Sequence, residues 1–321
     1  MKKTLLFILP YLILLTVSCH SKKSNPSINK KDLPDQFIVV LGTAQDAGYP
    51  QAGCEKECCT AYWQGEETKK HITCLALVDR IKNKYWLLEA TPDMAEQLHM
   101  IRSYLGDSAA PVPAGIFITH AHIGHYAGLM QLGREVMGIK AVPVFAMPRM
   151  DSFLRNNGPW SQLVKLENIQ LKPLQEDSAV SLDGSFTITP LKVPHRDEFS
   201  ETAGFVIESS RKRILFIPDI DKWEKWGRNI VDEIGKADIA LLDGTFYKNG
   251  ELPGRDMSEV PHPFVEETMR LFSGQPDSVK NKIVFIHFNH TNPLLKTLSE
   301  EKKKTVATGF GVAGEGMIIE L

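Results

Sequence analysis

The sequence lacks several features that would point to particular classes of protein. No long Gly/Ser-rich or Pro-rich linker follows residue 36, which favours one folded domain over two. Lys and Arg form only short runs such as Lys302 to Lys304, and the formal net charge is -2, so we expect no nucleic-acid partner. The 321 residues are instead 43% hydrophobic and 24% charged, which is typical of a folded protein with a sizeable core.

The first nineteen residues differ in character from the rest of the chain. A positive start at Lys2 and Lys3 is followed by an almost wholly apolar segment, Thr4 to Thr16, and then by small residues that lead to Cys19. The apolar segment is short for a membrane-spanning helix, and Pro10 interrupts it. An export signal is therefore favoured over a permanent membrane span.

The end of this segment resembles a bacterial lipoprotein signal in which Cys19 is the lipidated residue. Thr16 departs from that pattern, because Leu, Val or Ile usually stands there, and a plain secretory signal is the alternative. Residues 20 to 35 are rich in Ser, Lys, Asn and Pro, a composition typical of a flexible tether. We therefore expect an exported protein that a lipid anchor holds to a membrane of the cell envelope.

From residue 36 onward, apolar runs alternate with stretches of helical spacing. This order predicts an αββα sandwich, in which two mixed sheets pack face to face between helices, and a single doubly wound sheet is the alternative. The predicted strands are Phe37–Leu41, Thr73–Val78, Tyr85–Leu88, Gly115–Thr119, Ala141–Ala146, Phe186–Val193, Gly204–Glu208, Arg213–Ile217, Ile239–Leu242 and Lys282–Ile286. The predicted helices are Pro92–Tyr104, His125–Met137, one that starts near Pro148, Trp223–Ile234 and Pro263–Phe272.

Three histidines lie within six residues of one short loop, at His120, His122 and His125. The loop directly follows the apolar run Gly115 to Thr119 and precedes a predicted helix. Neutral imidazole is the commonest metal ligand in proteins. His120 and His122 share the strand period of two and point the same way, whereas the turn into the helix carries His125 to another side of the pocket. The loop therefore predicts ligands for two adjacent metals rather than a solvated histidine-rich turn.

Three later residues stand where a predicted apolar strand ends. They are His195, Asp219 and His287. Because strand ends converge on one edge of a sheet, we expect His195 to complete the first metal site and His287 to ligate the second. Asp219 would bridge both metals and act in catalysis, and a helix cap is its alternative role.

A fourth candidate, His262, directly precedes Pro263 at the start of a predicted helix. The first turn of a helix carries partial positive charge and suits proline. A histidine there can face an anionic substrate, so we assign His262 to proton transfer or to holding an oxyanion. A surface helix cap is the alternative.

The order of these residues resembles the metallo-β-lactamase superfamily, whose loop reads His-x-His-x-Asp-His and whose later ligands are a strand-end His, a bridging Asp and a final His. The likeness extends over nearly all of residues 36 to 321. Within the superfamily the chain is most similar to the branch that holds coenzyme PQQ synthesis protein B and the phosphoribosyl cyclic phosphate phosphodiesterase. The stretches that indicate this branch are Val40–Ala44 leading to Gly48–Gln51, Leu88–Asp93, Leu242–Phe246 and Ile286–Pro293.

The resemblance implies a hydrolase of a phosphodiester or other ester-like small molecule, with one or two zinc ions and a metal-bound hydroxide as nucleophile. Gly124 stands where the superfamily has the loop Asp, so we expect the second metal to keep only His125, His287 and Asp219 and to bind weakly, unusually or not at all. An iron-dependent oxygenase like the PQQ protein is the first alternative, since a sparse His/Asp site suits iron. A non-catalytic metal-binding lipoprotein is the second.

Besides Cys19, the chain has four cysteines. Cys54, Cys58 and Cys59 cluster in one loop, and the resemblance to the phosphodiesterase implies that His290 joins them in a structural Cys3His zinc site. A disulfide between Cys54 and one of the adjacent pair is the alternative in an exported protein. Cys74 lies in an apolar strand and is expected to be a small buried residue.

Overall fold

The computed structural model describes residues 30–105 and 111–321. The predicted signal segment and Cys19 lie outside these residues, as does most of the predicted tether. The end of that tether belongs to the fold, because Lys30–Asp32 forms a 3-10 helix and the Arg80 guanidinium donates to the carbonyl oxygens of Leu33 and Lys30, at 2.7 and 2.9 Å. The predicted domain start at residue 36 is therefore too late.

The described residues form fourteen strands, which agree closely with the predicted ones where both exist. The bounds of the strands at Phe186–Val193 and Arg213–Ile217 are confirmed without change. The strands are β1 (Gln36–Gly42), β2 (Cys74–Asp79), β3 (Lys84–Leu88), β4 (Gly115–Phe117), β5 (Val142–Ala146), β6 (Ile169–Pro173), β7 (Val180–Leu182), β8 (Phe186–Val193), β9 (Thr202–Glu208), β10 (Arg213–Ile217), β11 (Ile239–Asp243), β12 (Ile283–Ile286), β13 (Gly311–Val312) and β14 (Ile318–Glu320).

These strands build two seven-stranded sheets, with the orders β14-β1-β2-β3-β4-β5-β6 and β13-β12-β11-β10-β9-β8-β7. Both sheets are mixed. In the first, β1 to β3 are antiparallel and β3 to β6 are parallel. In the second, β7 to β10 are antiparallel and β10 to β13 are parallel. The predicted αββα sandwich is confirmed, and the doubly wound alternative is wrong.

Alternate residues of a central strand pack into different cores, because each sheet is covered on both faces. In β1, Ile38 and Val40 lie between the two sheets in the same cluster as Phe216 of β10. Val39 points the other way, into the cluster that includes Tyr104 of the covering helix. This two-sided burial explains why β1 reads as a continuous apolar run.

Nine α-helices cover the two sheets in the described part of the chain. None of them is long and apolar enough to cross a membrane. The helices are α1 (Glu57–Trp63), α2 (Met94–Leu105), α3 (Ile123–Tyr126), α4 (Pro148–Asn156), α5 (Trp160–Lys165), α6 (Ile230–Lys236), α7 (Val265–Leu271), α8 (Asp277–Lys280) and α9 (Glu300–Ala307).

Two predicted helices are wrong in extent. The helix expected over His125–Met137 stops as α3 at Tyr126 and continues only as a 3-10 helix to Leu132. The cause is a close approach at Gly128, whose amide donates to Ala90 O at 2.8 Å and where a Cβ would stand 2.1 Å from Thr91 O. The helix expected over Trp223–Ile234 is likewise broken into a 3-10 turn, Trp223–Lys225, and the helix α6.

Candidate metal centre

The predicted ligands come from separate elements that end at the same edge of the sandwich. The parallel strands β10 and β12, which carry Asp219 and His287 just beyond their ends, are both neighbours of β11. The loop after β4 and the end of β8 face this edge from either side. Together they bring in His120, His122, His125, His195, Asp219 and His287.

The first group consists of His120, His122, His195 and Asp219, whose ligand atoms all lie within 4.8 Å of one another. His120 Nε2 is 3.4 Å from Asp219 Oδ2, and His195 Nε2 is 3.5 Å from Asp219 Oδ1. His120, His195 and Asp219 are buried, whereas His122 is partly exposed. The structure thus assembles the predicted three-histidine site and leaves it accessible on the side of His122.

The second group consists of His125, His287, Asp219 and one residue that the sequence analysis missed, Asp46. His125 Nε2 and His287 Nε2 lie 3.3 and 3.6 Å from Asp219 Oδ2. Asp46 Oδ1 lies 2.8 Å from His125 Nε2 and 3.3 Å from His287 Nε2. Asp219 is shared by both groups, as a bridging ligand must be. The expectation that the second site has no carboxylate besides Asp219 is wrong.

The geometry of both groups fits a metal ion. A tetrahedral ion with bonds of about 2.0–2.2 Å separates its ligand atoms by about 3.3–3.5 Å, close to the separations around Asp219. His120 Nε2, His195 Nε2 and Asp219 Oδ1 are buried without a hydrogen-bond partner in the structure. An unsatisfied buried polar group costs about 1–3 kcal/mol, so the convergence of three such atoms on one place favours a bound cation.

The other ring nitrogen, Nδ1, of three buried ligand histidines faces an oxygen atom outside the ligand set. Thr119 Oγ1 lies 2.9 Å from His120 Nδ1, and Thr245 Oγ1 lies 2.9 Å from His287 Nδ1. Glu89 Oε1 lies 3.2 Å from His125 Nδ1. When these oxygens accept the Nδ1 proton, the Nε2 lone pair is directed at the centre, which is the tautomer that binds a metal.

The charge of the site also favours metal binding. Burial alone would raise the pKa of Asp219, but the neighbouring His195, His287 and His262 hold that pKa well below its usual value. In the same way His125 and His287 hold the pKa of Asp46 well below its usual value against the effect of burial. Burial lowers the pKa of His120 well below its usual value. The carboxylates are therefore ionised and His120 is neutral, the forms in which these residues bind metals.

His262 joins the site, as predicted, but it lies beside the bridging carboxylate. Its Nδ1 is 2.8 Å from Asp243 Oδ2 and 3.1 Å from Asp219 Oδ1. Burial would lower the pKa of His262, but the carboxylates of Asp243 and Asp219 raise it to about 9. Asp243 also accepts hydrogen bonds from the amides of Ile220 and Thr245, which fix its orientation. Asp243 was missed as a functional residue although the sequence analysis singled out Leu242–Phe246.

Cys54, just before α1, and Cys58 and Cys59, within α1 and not in a loop as expected, form a separate cluster of donor atoms with His290. Ligand atoms of Cys54, Cys58, Cys59 and His290 all lie within 4.8 Å of one another. The sulfur atoms of Cys54 and Cys58 are 3.6 Å apart, far longer than a disulfide bond and close to the roughly 3.7 Å that two thiolates on one zinc require. His290 Nδ1 is buried without a hydrogen-bond partner. Cys74 is fully buried outside this cluster, as predicted.

Comparisons with known proteins show which sequences and folds this chain is similar to. A family model described as a beta-lactamase superfamily domain matches residues 85–288. A model of the hepatitis core antigen matches residues 22–139, which is less than half of the chain. The coenzyme PQQ synthesis protein B of Xanthomonas axonopodis pv. citri (strain 306) is 26% identical over 310 residues, which cover 88% of this chain and 99% of that protein.

Solved structures show the same fold. The Zn(2+)-bound PqqB from Methylobacterium extorquens superposes with a TM-score of 0.73 at 22% identity, covering 89% of this chain and 100% of the other. A diphosphatase from the PhnP family superposes with a TM-score of 0.61 at 19% identity, covering 89% of this chain and 97% of the other. The similarity extends over nearly the whole length of these two proteins. At such low sequence identity it shows a shared fold and no more.

Proposed function

Because the chain belongs to the metallo-β-lactamase superfamily, we propose that it is a metal-dependent hydrolase of a phosphodiester or a similar anionic, ester-like small molecule. The observation that supports this most directly is the pair of ligand groups joined through Asp219 and accessible beside His122. We assign His120, His122 and His195 to one metal and Asp46, His125 and His287 to the other. Zinc is the metal we propose, since all these ligands are imidazole or carboxylate groups that zinc accepts.

Bound metals of this kind polarise the substrate oxygen and make a water molecule acidic enough to attack at neutral pH. The protein supplies the remaining parts of the reaction. Asp219 joins the two ligand groups, because its Oδ2 lies 3.4 Å from His120 Nε2 of the first group and 3.3 Å from His125 Nε2 of the second. His262 has Nδ1 fixed by Asp243, which leaves Nε2 as the nitrogen that donates a proton to the leaving group or hydrogen-bonds a developing oxyanion.

Recognition of an anionic substrate is supported by Arg196, which directly follows the ligand His195. Its Nη2 lies 3.4 Å from His122 Nε2, and half of the side chain is exposed. Glu198 is the nearest acidic group, at 3.9 Å from Arg196 Nη1, too far for a bidentate pair. The guanidinium is thus available at the accessible side of the centre, where its planar donors match a phosphoryl group.

Replacing Arg196 with alanine should raise KM for a chromogenic phosphodiester by about tenfold, the equivalent of one lost charge-assisted hydrogen bond. KM for a neutral chromogenic ester should stay unchanged, because no charge is then recognised. Steady-state kinetics with both substrates measures the difference, and Arg134→Ala on the exposed surface is the matched control. Equal effects on both substrates, or turnover of neither by the wild type, would argue against the proposed substrate class.

An iron-dependent oxygenase like the PQQ protein is the second candidate. One observation in its favour is the 26% identity to a coenzyme PQQ synthesis protein B. Another is the ligand set of imidazole and carboxylate groups, which iron accepts as well as zinc. This candidate predicts turnover that requires Fe(II) and dioxygen, whereas a hydrolase requires neither. A purely metal-sequestering protein predicts no turnover with either metal.

We also propose that the protein is exported and anchored at the cell envelope through a lipid on Cys19. The support is the sequence alone, from the positive start at Lys2 to the small residues before Cys19. Cys19→Ser should move the protein from the membrane fraction to the soluble fraction and abolish labelling with a radioactive fatty acid. Unchanged membrane association of this variant would contradict the proposal.

A further inference from the structure

Gly124 occupies the one position of the metal loop where the residue departs from the superfamily pattern. It lies in the short helix α3 (Ile123–Tyr126) and is not among the residues with positive φ. Its backbone conformation is therefore open to any residue. A glycine at this place must be explained by the space around it.

That space is filled by Asp46. A Cβ built on Gly124 would lie 2.4 Å from the Cα of Asp46, 2.8 Å from its Cβ and 3.0 Å from its Oδ1. Real Cβ atoms essentially never approach other atoms so closely, and the first of these neighbours is backbone, which cannot rotate away. The Asp46 carboxylate thus stands where a side chain on residue 124 would begin.

Asp46 reaches this place on a turn that is fastened to the strand end carrying His287. Gln45 N donates to Phe288 O at 2.8 Å, and Phe288 N donates to Thr43 O at 2.8 Å. The turn is closed by Gly48 N, which donates to Gln45 O at 2.7 Å. Asp46 Oδ1 is therefore held against His287 by main-chain hydrogen bonds, as a ligand requires.

We propose that Asp46, from the turn after β1, supplies the second-metal carboxylate that the loop itself does not provide, and that Gly124 is the residue that makes room for it. The carboxylate oxygen beside His125 thus comes from the turn after β1 and not from the loop after β4. The two positions are linked, because a side chain at residue 124 would displace the turn that carries Asp46. This inference rests on the metal centre of the proposed function, but it does not depend on which reaction that centre performs.

The test measures zinc bound per chain and zinc affinity by competition with a chromogenic chelator, without any substrate. Asp46→Asn should lower the affinity for one zinc ion by at least about tenfold and leave the other ions in place. Even the replacement of a residue that only hydrogen-bonds to a ligand lowers metal affinity by about 10- to 100-fold. Gly124→Asp should lose the same ion, because its new side chain collides with Asp46. Gly124→Ala, which adds only a Cβ and no possible ligand, should weaken the same ion as well, because that Cβ would meet the Asp46 Cα at 2.4 Å and displace the turn.

Gly235→Asp is the matched control. Nothing lies within 4 Å of a Cβ at Gly235, which is an exposed position of α6, so zinc binding should be unchanged. Circular dichroism and retention of the remaining zinc separate loss of a ligand from loss of the fold. Wild-type affinity in Asp46→Asn would overturn the ligand assignment. Wild-type affinity in Gly124→Asp or in Gly124→Ala would overturn the role of Gly124 in making room for Asp46. Failure of the hydrolase proposal would appear only in turnover and would leave these results unaffected.

Discussion

Replacing Asp219 with alanine is expected to reduce turnover by at least about a hundredfold and to remove most of the metal from both ligand groups. The carboxylate lies 3.3 to 3.6 Å from the Nε2 atoms of His120, His125, His195 and His287 and faces all four at once. Without it, the first group has no carboxylate to compensate a buried dication, and the second keeps only Asp46. Loss of a group that merely supports a ligand already lowers metal affinity or activity by about 10- to 100-fold. Loss of the shared ligand itself should therefore have an effect at least as large.

Elemental analysis and steady-state kinetics on the same preparation check this expectation. Asp232→Ala is the matched control, because Asp232 is an exposed aspartate of α6 outside the site. If Asp219→Ala retained the wild-type metal content, the bridging role assigned to Asp219 would be wrong. If that variant kept its metal but lost turnover, Asp219 would act in the reaction and not as a metal ligand.

Replacing Cys58 with serine is expected to remove about one zinc ion per chain and to lower Tm by roughly 6–10 °C. The cluster of Cys54, Cys58, Cys59 and His290 joins the loop before α1 to the segment after β12, which are far apart in sequence. Structural zinc sites contribute folding free energy directly. A loss of about 3–5 kcal/mol shifts Tm by roughly 2 °C per kcal/mol in a domain of this size.

Cys74→Ala is the control for this prediction. Cys74 is fully buried and lies outside the cluster, so its replacement should leave the zinc content unchanged and lower Tm only through the small cavity it creates. The disulfide alternative gives a different result. In that case Cys58→Ser would keep its metal content and expose a new titratable thiol at Cys54.

The strands could be predicted from the sequence because each is a compact apolar run whose character is local. The run Arg213–Ile217 is buried on both faces and matches its predicted bounds. The helix predicted from His125 was wrong for a reason that is not local. Its early end depends on the contact of Gly128 with Ala90 and Thr91, which the chain brings together only in the folded state. Helical spacing alone cannot reveal such a contact.

The distinction between local sequence patterns and contacts that form only in the folded chain also applies to the site. The histidine ligands and Asp219 could be predicted because each stands in a short motif or directly after an apolar strand. Asp46 stands in no such pattern, since it is 79 positions from His125 and 241 from His287. The signal that could have found it was the departure at Gly124, which indicated a missing carboxylate without indicating its replacement. Glu89, whose carboxylate lies beside His125 Nδ1, was missed although the sequence analysis singled out Leu88–Asp93, because its role depends on the pairing of β3 with β4.

Metal content of the purified full-length protein, with and without the substitutions His120→Ala and His122→Ala, tests the central claim most directly. The account predicts zinc in the native protein, a partial loss of zinc together with turnover in the double variant, and a remainder that belongs to the cysteine cluster. Iron in the native protein would instead favour the oxygenase. A metal content that the two substitutions do not change would contradict the assignment of the active centre.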